Sequence, residues 1–238
     1  MGRFHDLRFP GESEEYRAAR DRLTEAEVAL RRQTEVVAKL RRALPLGGPL
    51  KEDYVFDEGF ADQARGNVRS VRFSDLFSAG KDSLVVYNFM YAPGAAAPCP
   101  MCTAFVDSLD GAVRHLEQRI NIALVARAPI EAIVNLAWRR GWRDIRLLSS
   151  RNNSFNADYH AERSSESQTP VLSVFRRVGE RIHHIYSTEM LYFPGDAGQD
   201  PRHIDIAWPL WNVLDMVPEG RGSWYPSLSY DLPEAVEA

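Results

Sequence analysis

Leu84-Val-Val-Tyr-Asn-Phe-Met90, followed after a short loop by Cys99-Pro-Met-Cys102, is the stretch that decides the fold. The first part is a near-continuous apolar run of strand length, the pattern of a strand buried on both faces. Ala92 to Pro98 are small residues and prolines, and read as a loop. Beyond the cysteines, Phe105, Leu109, Val113, Leu116 and Ile120 recur at helical spacing. Asp110-Gly111 marks a place where that helix would kink. The first cysteine therefore stands at or just before a helix N-terminus. Unpaired N–H groups and the positive end of the helix dipole favour an anion there.

These two are the only cysteines in 238 residues. Two cysteines placed at random fall three apart in about 235 of about 28,200 arrangements, roughly 1 in 120, so the spacing calls for a cause. In such a motif the first thiol loses its proton more easily than the ordinary ~8.5. Cys99 would attack a substrate disulfide, and Cys102, one helical turn on, would attack Cys99 and release the product. Pro100 costs little at the first turn, where its missing N–H has no partner in any case. Two other readings compete. Buried cysteines can serve as small apolar residues, although this pair follows a loop and opens a helix. Half a zinc site is the other; it needs two more ligands, and His183, His184 and His203 are not in a ligand-pair spacing. The expectation is no metal and no cofactor beyond the dithiol.

The remaining chain extends the same alternation. Val68–Phe73 reads as a strand and Phe73–Phe77 as a turn of helix. Ile122–Ala126 is a strand, Pro129 opens a helix ending near Gly141, and Ile145–Leu148 is a strand. Residues 150–168 are polar and irregular. Val171–Arg177 and Arg181–Tyr186 flank Val178-Gly179 as a hairpin, and a short helix is expected near Trp208–Asp215. Ahead of all this, Tyr16, Leu23, Leu30, Val37 and Leu44 recur every seven residues. Residues 12–44 read as one long helix, or two if Thr24 and Glu27 form a capping box. Its apolar stripe serves either to dock on the protein's own body or to pair two chains as a homodimer. The expected layout is a helical arm and linker over 1–50, an α/β domain over 51–217, and a loosely attached tail over 218–238.

Composition removes other classes. The net charge of −4, with 26% charged residues, lacks the basic surface of a nucleic-acid binder. No apolar run approaches the ~18 residues of a membrane span. The first ten residues lack the apolar core of a signal peptide, which predicts a cytoplasmic protein with reduced thiols.

Thr169-Pro-Val-Leu-Ser-Val-Phe-Arg-Arg-Val-Gly-Glu180 resembles the second signature of the thioredoxin superfamily, a proline opening a strand that runs into a Gly-Glu turn. In that superfamily the proline is cis and lies beside the redox cysteines. The resemblance implies a cis bond before Pro170 and a Thr169 backbone that can pair with an extended peptide. More specifically, the chain is similar to a bacterial family of thioredoxin-like proteins regarded as predicted dithiol-disulfide oxidoreductases. The residues that carry this include Lys51–Phe56, Val86–Met90, Cys99–Cys102, Arg127-Ala-Pro129, Pro201-Arg-His203, Trp208–Asn212 and Pro218–Gly222. The resemblance implies a thioredoxin-like α/β fold with peroxiredoxin-like or thiol-reductase-like elaboration. It also implies a protein or small-molecule disulfide or thiol as substrate, and an external thiol as electron donor. Many thioredoxins carry an ionisable group late in the strand before the cysteines. The matching residue is Asn88, which cannot titrate.

Secondary candidates follow. Pro100 and Met101 lie between the cysteines. Arg127 ends a strand expected beside the one before Cys99, where a cation would lower the thiol pKa; alternatively it pairs with an acid at the surface. Asp110 and Arg114 are spaced for a helical ion pair. His203, Asp205, Trp208 and Trp211 cluster in sequence, as packing or as a His–Asp proton relay. Three functions remain: a thiol-disulfide oxidoreductase, a thiol peroxidase, and a non-catalytic binding or dimerisation module. The peroxidase reading suffers from Ala96, which stands where peroxiredoxins place a hydroxyl three before the reactive cysteine.

Overall fold

In the computed structural model, residues 4–61, 68–164 and 167–230 are described. Leu84 to Asn88 form the centre of a seven-stranded sheet ordered β2-β1-β5-β4-β3-β8-β9. Here β1 is Val55–Gly59, β2 Arg69–Arg72, β3 Ser83–Asn88, β4 Asn121–Ala126, β5 Arg146–Ser149, β8 Val171–Val178 and β9 Arg181–Ser187. A two-stranded ribbon, β6 (Glu162–Ser164) with β7 (Ser167–Gln168), stands apart. The helices are α1 Glu14–Arg42, α2 Pro100–Leu116, α3 Ile130–Arg140, α4 Phe155–Asp158 and α5 Pro209–Leu214. A 3-10 turn covers Phe73–Leu76. Among the described residues no helix is long and apolar enough to cross a membrane.

β3 runs parallel to β4 and antiparallel to β8, and β8 turns back as β9. The crossover from β3 to β4 is α2, which begins at the cysteine pair, and α5 closes the chain order after the hairpin. This β-α-β followed by β-β-α, with C-x-x-C at the first helix, is the thioredoxin-like fold. β5 extends the parallel side, and β1 and β2 add an antiparallel edge. Strands at the centre are buried on both faces, all six residues of β4 included, which is why they read as continuous apolar runs.

Each face of the sheet has its own core. One packs Val85, Tyr87 and Phe89 against α2, α3 and α5 through Phe105, Val113, Ile133 and Trp208. The other is aromatic, with Phe73, Phe155 and Phe175 packed around Tyr54 and Phe56. Such edge-to-face pairs contribute about 0.5–1.5 kcal/mol each beyond their burial.

Several expectations are corrected. The first unit runs to Pro45 and the second starts at Leu46. Residues 46–50 run beside β9: Leu50 N–H donates to the Ile182 carbonyl and His184 N–H to the Gly48 carbonyl. Gly47 is required there, because a Cβ would overlap the His184 carbonyl. α1 is one uninterrupted helix through Thr24, started by the Ser13 hydroxyl accepting the Tyr16 N–H at 3.1 Å. Good helix formers on both sides of Thr24 outweigh a second cap there. The irregular stretch 150–168 holds α4, β6 and β7. α2 continues through Gly111. Asp110 does not pair with Arg114. It accepts the backbone N–H groups of Arg143, Asp144 and Ile145 at 2.9–3.0 Å, while Arg114 bonds Asp144. Residues 218–230, expected to be loose, are fastened. Arg221 pairs with Asp205 and Asp215, Trp224 packs on Trp211, and the Leu228 carbonyl accepts from Arg140. Residues 231–238 lie outside the described part.

Candidate active site

After β3 the chain turns through Ala92–Pro98 and returns, the Cys99 N–H donating to the Met90 carbonyl at 3.0 Å. Cys99 is the N-cap of α2, in extended conformation, with Pro100 at the first helical position. Its carbonyl accepts both the N–H and the hydroxyl of Thr103. Both cysteines are free and come within 3.5 Å of each other. Cys99 is half-buried and Cys102 is 1% exposed.

The two thiols differ in chemistry. Cys99 is pulled down to about 6, chiefly by its hydrogen bond with the Cys102 thiol, against an opposing cost of burial. The backbone N–H groups of Cys102 and Met101 and the Tyr225 hydroxyl add to the anion's stability. Cys102 is pushed well up, first by that same bond to Cys99, then by burial. Near neutral pH the pair therefore holds one exposed-side thiolate and one buried thiol.

The residue over Cys102 is Tyr87, not Asn88. Side chains alternate along β3, so Tyr87 shares the α2 face with Val85 and Phe89, and Asn88 points to the other side. There the Asn88 amide is buried with no hydrogen-bond partner. Tyr87 is fully buried against Phe105, with centroids 4.7 Å apart, and its hydroxyl has no hydrogen-bond partner in the dithiol state. Its polar neighbour is the Cys102 sulfur, which it favours as an anion. Burial and Cys102 push the phenol itself far up, so it acts as a hydrogen-bond donor and not as a base.

Pro170 lines one cavity with Cys102, but no peptide bond among the described residues is cis, so the bond before Pro170 is trans. Trans is the intrinsic preference by about 0.5–1 kcal/mol. The chain arrives here from the β6–β7 ribbon, and the Thr169 N–H is committed to the Ala161 carbonyl at 2.9 Å. The Pro170 carbonyl is taken too, by His203 Nε2 at 2.6 Å. That bond makes Nε2 the protonated nitrogen and leaves Nδ1 as a bare acceptor, which is buried with no partner. Burial lowers the His203 pKa and keeps the ring neutral. His203 and Asp205 form no relay, because Asp205 bonds Arg202 and Arg221 instead.

Arg127 stays away from the cysteines. Its guanidinium donates to the carbonyls of Ser150, Arg151 and Asn153 and pairs with Glu162 at 3.1 Å, fastening the loop after β5. Trp208 is 2% exposed and packs between Phe105 and Trp211. A cavity of about 310 Å³ opens along Cys102, walled by Tyr87, Met101, Pro170, His203, Trp208 and Tyr225. A second cavity, about 430 Å³ and bounded by Asp158, His184 and Tyr192, contains no cysteine. Among the described residues no three His, Cys, Asp or Glu side chains are grouped to hold a metal ion.

Sequence reasoning missed Tyr87 and Tyr225. Tyr87 sits in a strand buried on both sides, where polarity does not reveal which face a residue takes. Tyr225 lies in a proline-rich tail with no periodicity.

Fold and site together define a thioredoxin-like protein with a dithiol at a helix N-terminus. The chain belongs to the family described as bacterial protein of unknown function (DUF899), whose model matches residues 8–231. Among curated proteins none matches the chain. Solved structures similar to it include a 2-Cys peroxiredoxin of Plasmodium vivax, at 14% identity and a TM-score of 0.47 over 72% of this chain and 96% of that one. A second is thioredoxin peroxidase I of Plasmodium yoelii, at 15% and 0.45 over 72% and 91%. A third is the peroxidoxin BcpB of Mycobacterium tuberculosis, at 19% and 0.41 over 69% and 94%. The fold assignment rests on the strand order and the cysteine position.

Proposed function

We propose that this chain is a thiol-disulfide oxidoreductase, with Cys99 as nucleophile and Cys102 as resolving thiol. The observation that carries it is the placement of the pair: half-buried Cys99 at the N-cap of α2, 3.5 Å from fully buried Cys102, an arrangement that pulls the first thiol down and pushes the second up. Attack on a disulfide needs a thiolate at the accessible position, and Cys99 is that thiolate. The resulting mixed disulfide removes the Cys99 anion, and with it the main reason Cys102 holds its proton. Cys102 then ionises beside the Tyr87 hydroxyl, attacks the Cys99 sulfur, and the substrate thiol leaves. The oxidised pair returns to the dithiol at the expense of an external thiol donor, with no other cofactor. Such a resting dithiol suits a reducing, cytoplasmic setting.

Replacing Cys102 by Ser leaves the first step and removes the second. Cys102→Ser should therefore accumulate a mixed disulfide through Cys99, visible by mass spectrometry and reversed by dithiothreitol. Absence of that species, with a Cys99 thiol titrating near ~8.5, counts against the proposal.

A further inference from the structure

The cavity beside the pair carries features that disulfide exchange alone does not use. We propose that it binds the body of a small, uncharged organic disulfide or thiol bearing a hydroxyl or amide-like group, so that the substrate is a neutral small molecule and not a protein strand. The inference rests on the oxidoreductase reading for the reaction, but not for the binding.

Four observations converge. At about 310 Å³ the space lies at the lower end of small-ligand sites, and its walls are mainly aromatic and aliphatic. Two residues in those walls carry buried polar atoms with no partner in the protein: Trp208 Nε1, a donor, and His203 Nδ1, an acceptor. Each such group costs about 1–3 kcal/mol if left unpaired. A hydroxyl or an amide both donates and accepts, and so has the chemistry that either atom lacks.

The rim is already neutralised. Arg221 and Arg202 are both occupied by Asp205 and Asp215, and Arg221 also faces Asp200 at 3.8 Å. A carboxylate-rich peptide disulfide would meet cations already paired with acids. Finally, the Thr169 N–H is already bonded to the Ala161 carbonyl and the Pro170 carbonyl to His203. An extended protein segment therefore finds no free N–H at Thr169 to pair with.

The reaction balances without further components in its first half. The Cys99 thiolate forms a bond to one substrate sulfur and the other leaves as a thiolate that takes a proton. Cys102 loses its proton, bonds to Cys99 sulfur, and expels the second substrate thiol. The substrate gains two electrons and the pair becomes a disulfide, which an external dithiol reduces. Cys102 and Tyr225 both wall the cavity, so a body seated there has its sulfur beside the pair.

The test uses full-length Cys99→Ser/Cys102→Ser protein, which cannot react, titrated calorimetrically with bis(4-hydroxyphenyl) disulfide and with oxidised glutathione. Saturable one-site binding of the phenolic disulfide is expected, at least tenfold tighter than glutathione disulfide. Adding Trp208→Phe, which keeps the ring and removes the N–H, should weaken it about fivefold or more, and His203→Leu likewise. No saturable binding, equal binding of glutathione disulfide, or full affinity in Trp208→Phe overturns the inference. Wild-type turnover separates the two readings. Binding as expected without reduction of the bound disulfide sinks the oxidoreductase reading alone, whereas efficient reduction of insulin or glutathione disulfide with no binding of the phenolic compound sinks only this one.

Discussion

At the scale of single residues, the chemistry depends on which atoms touch the two sulfurs. In the exchange proposed above, Cys102 loses its proton while buried, and the Tyr87 hydroxyl is the group that favours its anion. A hydrogen bond to a charged group contributes about 1.5–3 kcal/mol, equivalent to roughly 10- to 100-fold in rate. Tyr87→Phe should therefore slow decay of the Cys99 mixed disulfide by about that factor, measured by stopped-flow on the isolated adduct. Formation of the adduct should change little, because it draws on Cys99. The cysteine pair itself was legible from spacing. The tyrosine beside it was not, because a strand covered on both faces gives no polar side to orient the reading. The resemblance matched the family's ionisable position to Asn88, while the side chain on the α2 face is Tyr87, and one residue in a strand is the whole thickness of the sheet.

At the scale of elements, α2 holds the site by being fixed at its far end. Asp110 accepts three backbone N–H groups from the turn that leads into β5. Removing the carboxylate strands those donors, two of them in a half-buried turn and one buried. Asp110→Ala should lower unfolding free energy by about 3 kcal/mol, read from urea denaturation, with Asp110→Asn losing less. A loss under ~0.5 kcal/mol would show that water replaces the carboxylate. Spacing alone suggested an Asp110–Arg114 pair, because helical periodicity sees only neighbours on the same helix. The turn at 143–145 comes from 33 to 35 residues away. The same limit explains residues 218–230. Three aromatic residues and Arg221 in a proline-rich segment look loose until Trp211 and Asp205 are found opposite them.

At the scale of the whole molecule, ionisation at the pair couples to stability. Cys99 titrates at about 6 folded and near 9 unfolded, so between these values the unfolded chain binds more protons. Stability from this residue therefore grows as pH rises from 6 towards 9, and is lost as pH falls through 6. Cys102 is shifted upward and acts in the opposite sense only above its unfolded value. The melting temperature of reduced wild type, minus that of Cys99→Ser, should widen between pH 5.5 and 8 by calorimetry; a flat difference contradicts the assigned thiolate. For the arm, we propose pairing of two chains along the seven-residue repeat of α1. Sedimentation should then give a two-chain mass that Leu23→Glu with Leu30→Glu reduces to one. By itself the sequence determined the order of β2, β3, α2, β4, α3, β5, β8, β9 and α5, though not β1 or the elements within 150–168, the place of the dithiol at a helix start, and the hairpin that follows Pro170. Each of these depends on periodicity and turn chemistry within some 20 residues. Only the tertiary structure decided the trans bond at Pro170, the remoteness of Arg127 and the joining of Tyr87, His203, Trp208 and Tyr225 around one cavity. Those depend on which buried groups find partners across the fold, and no local pattern records a partner brought in from another element.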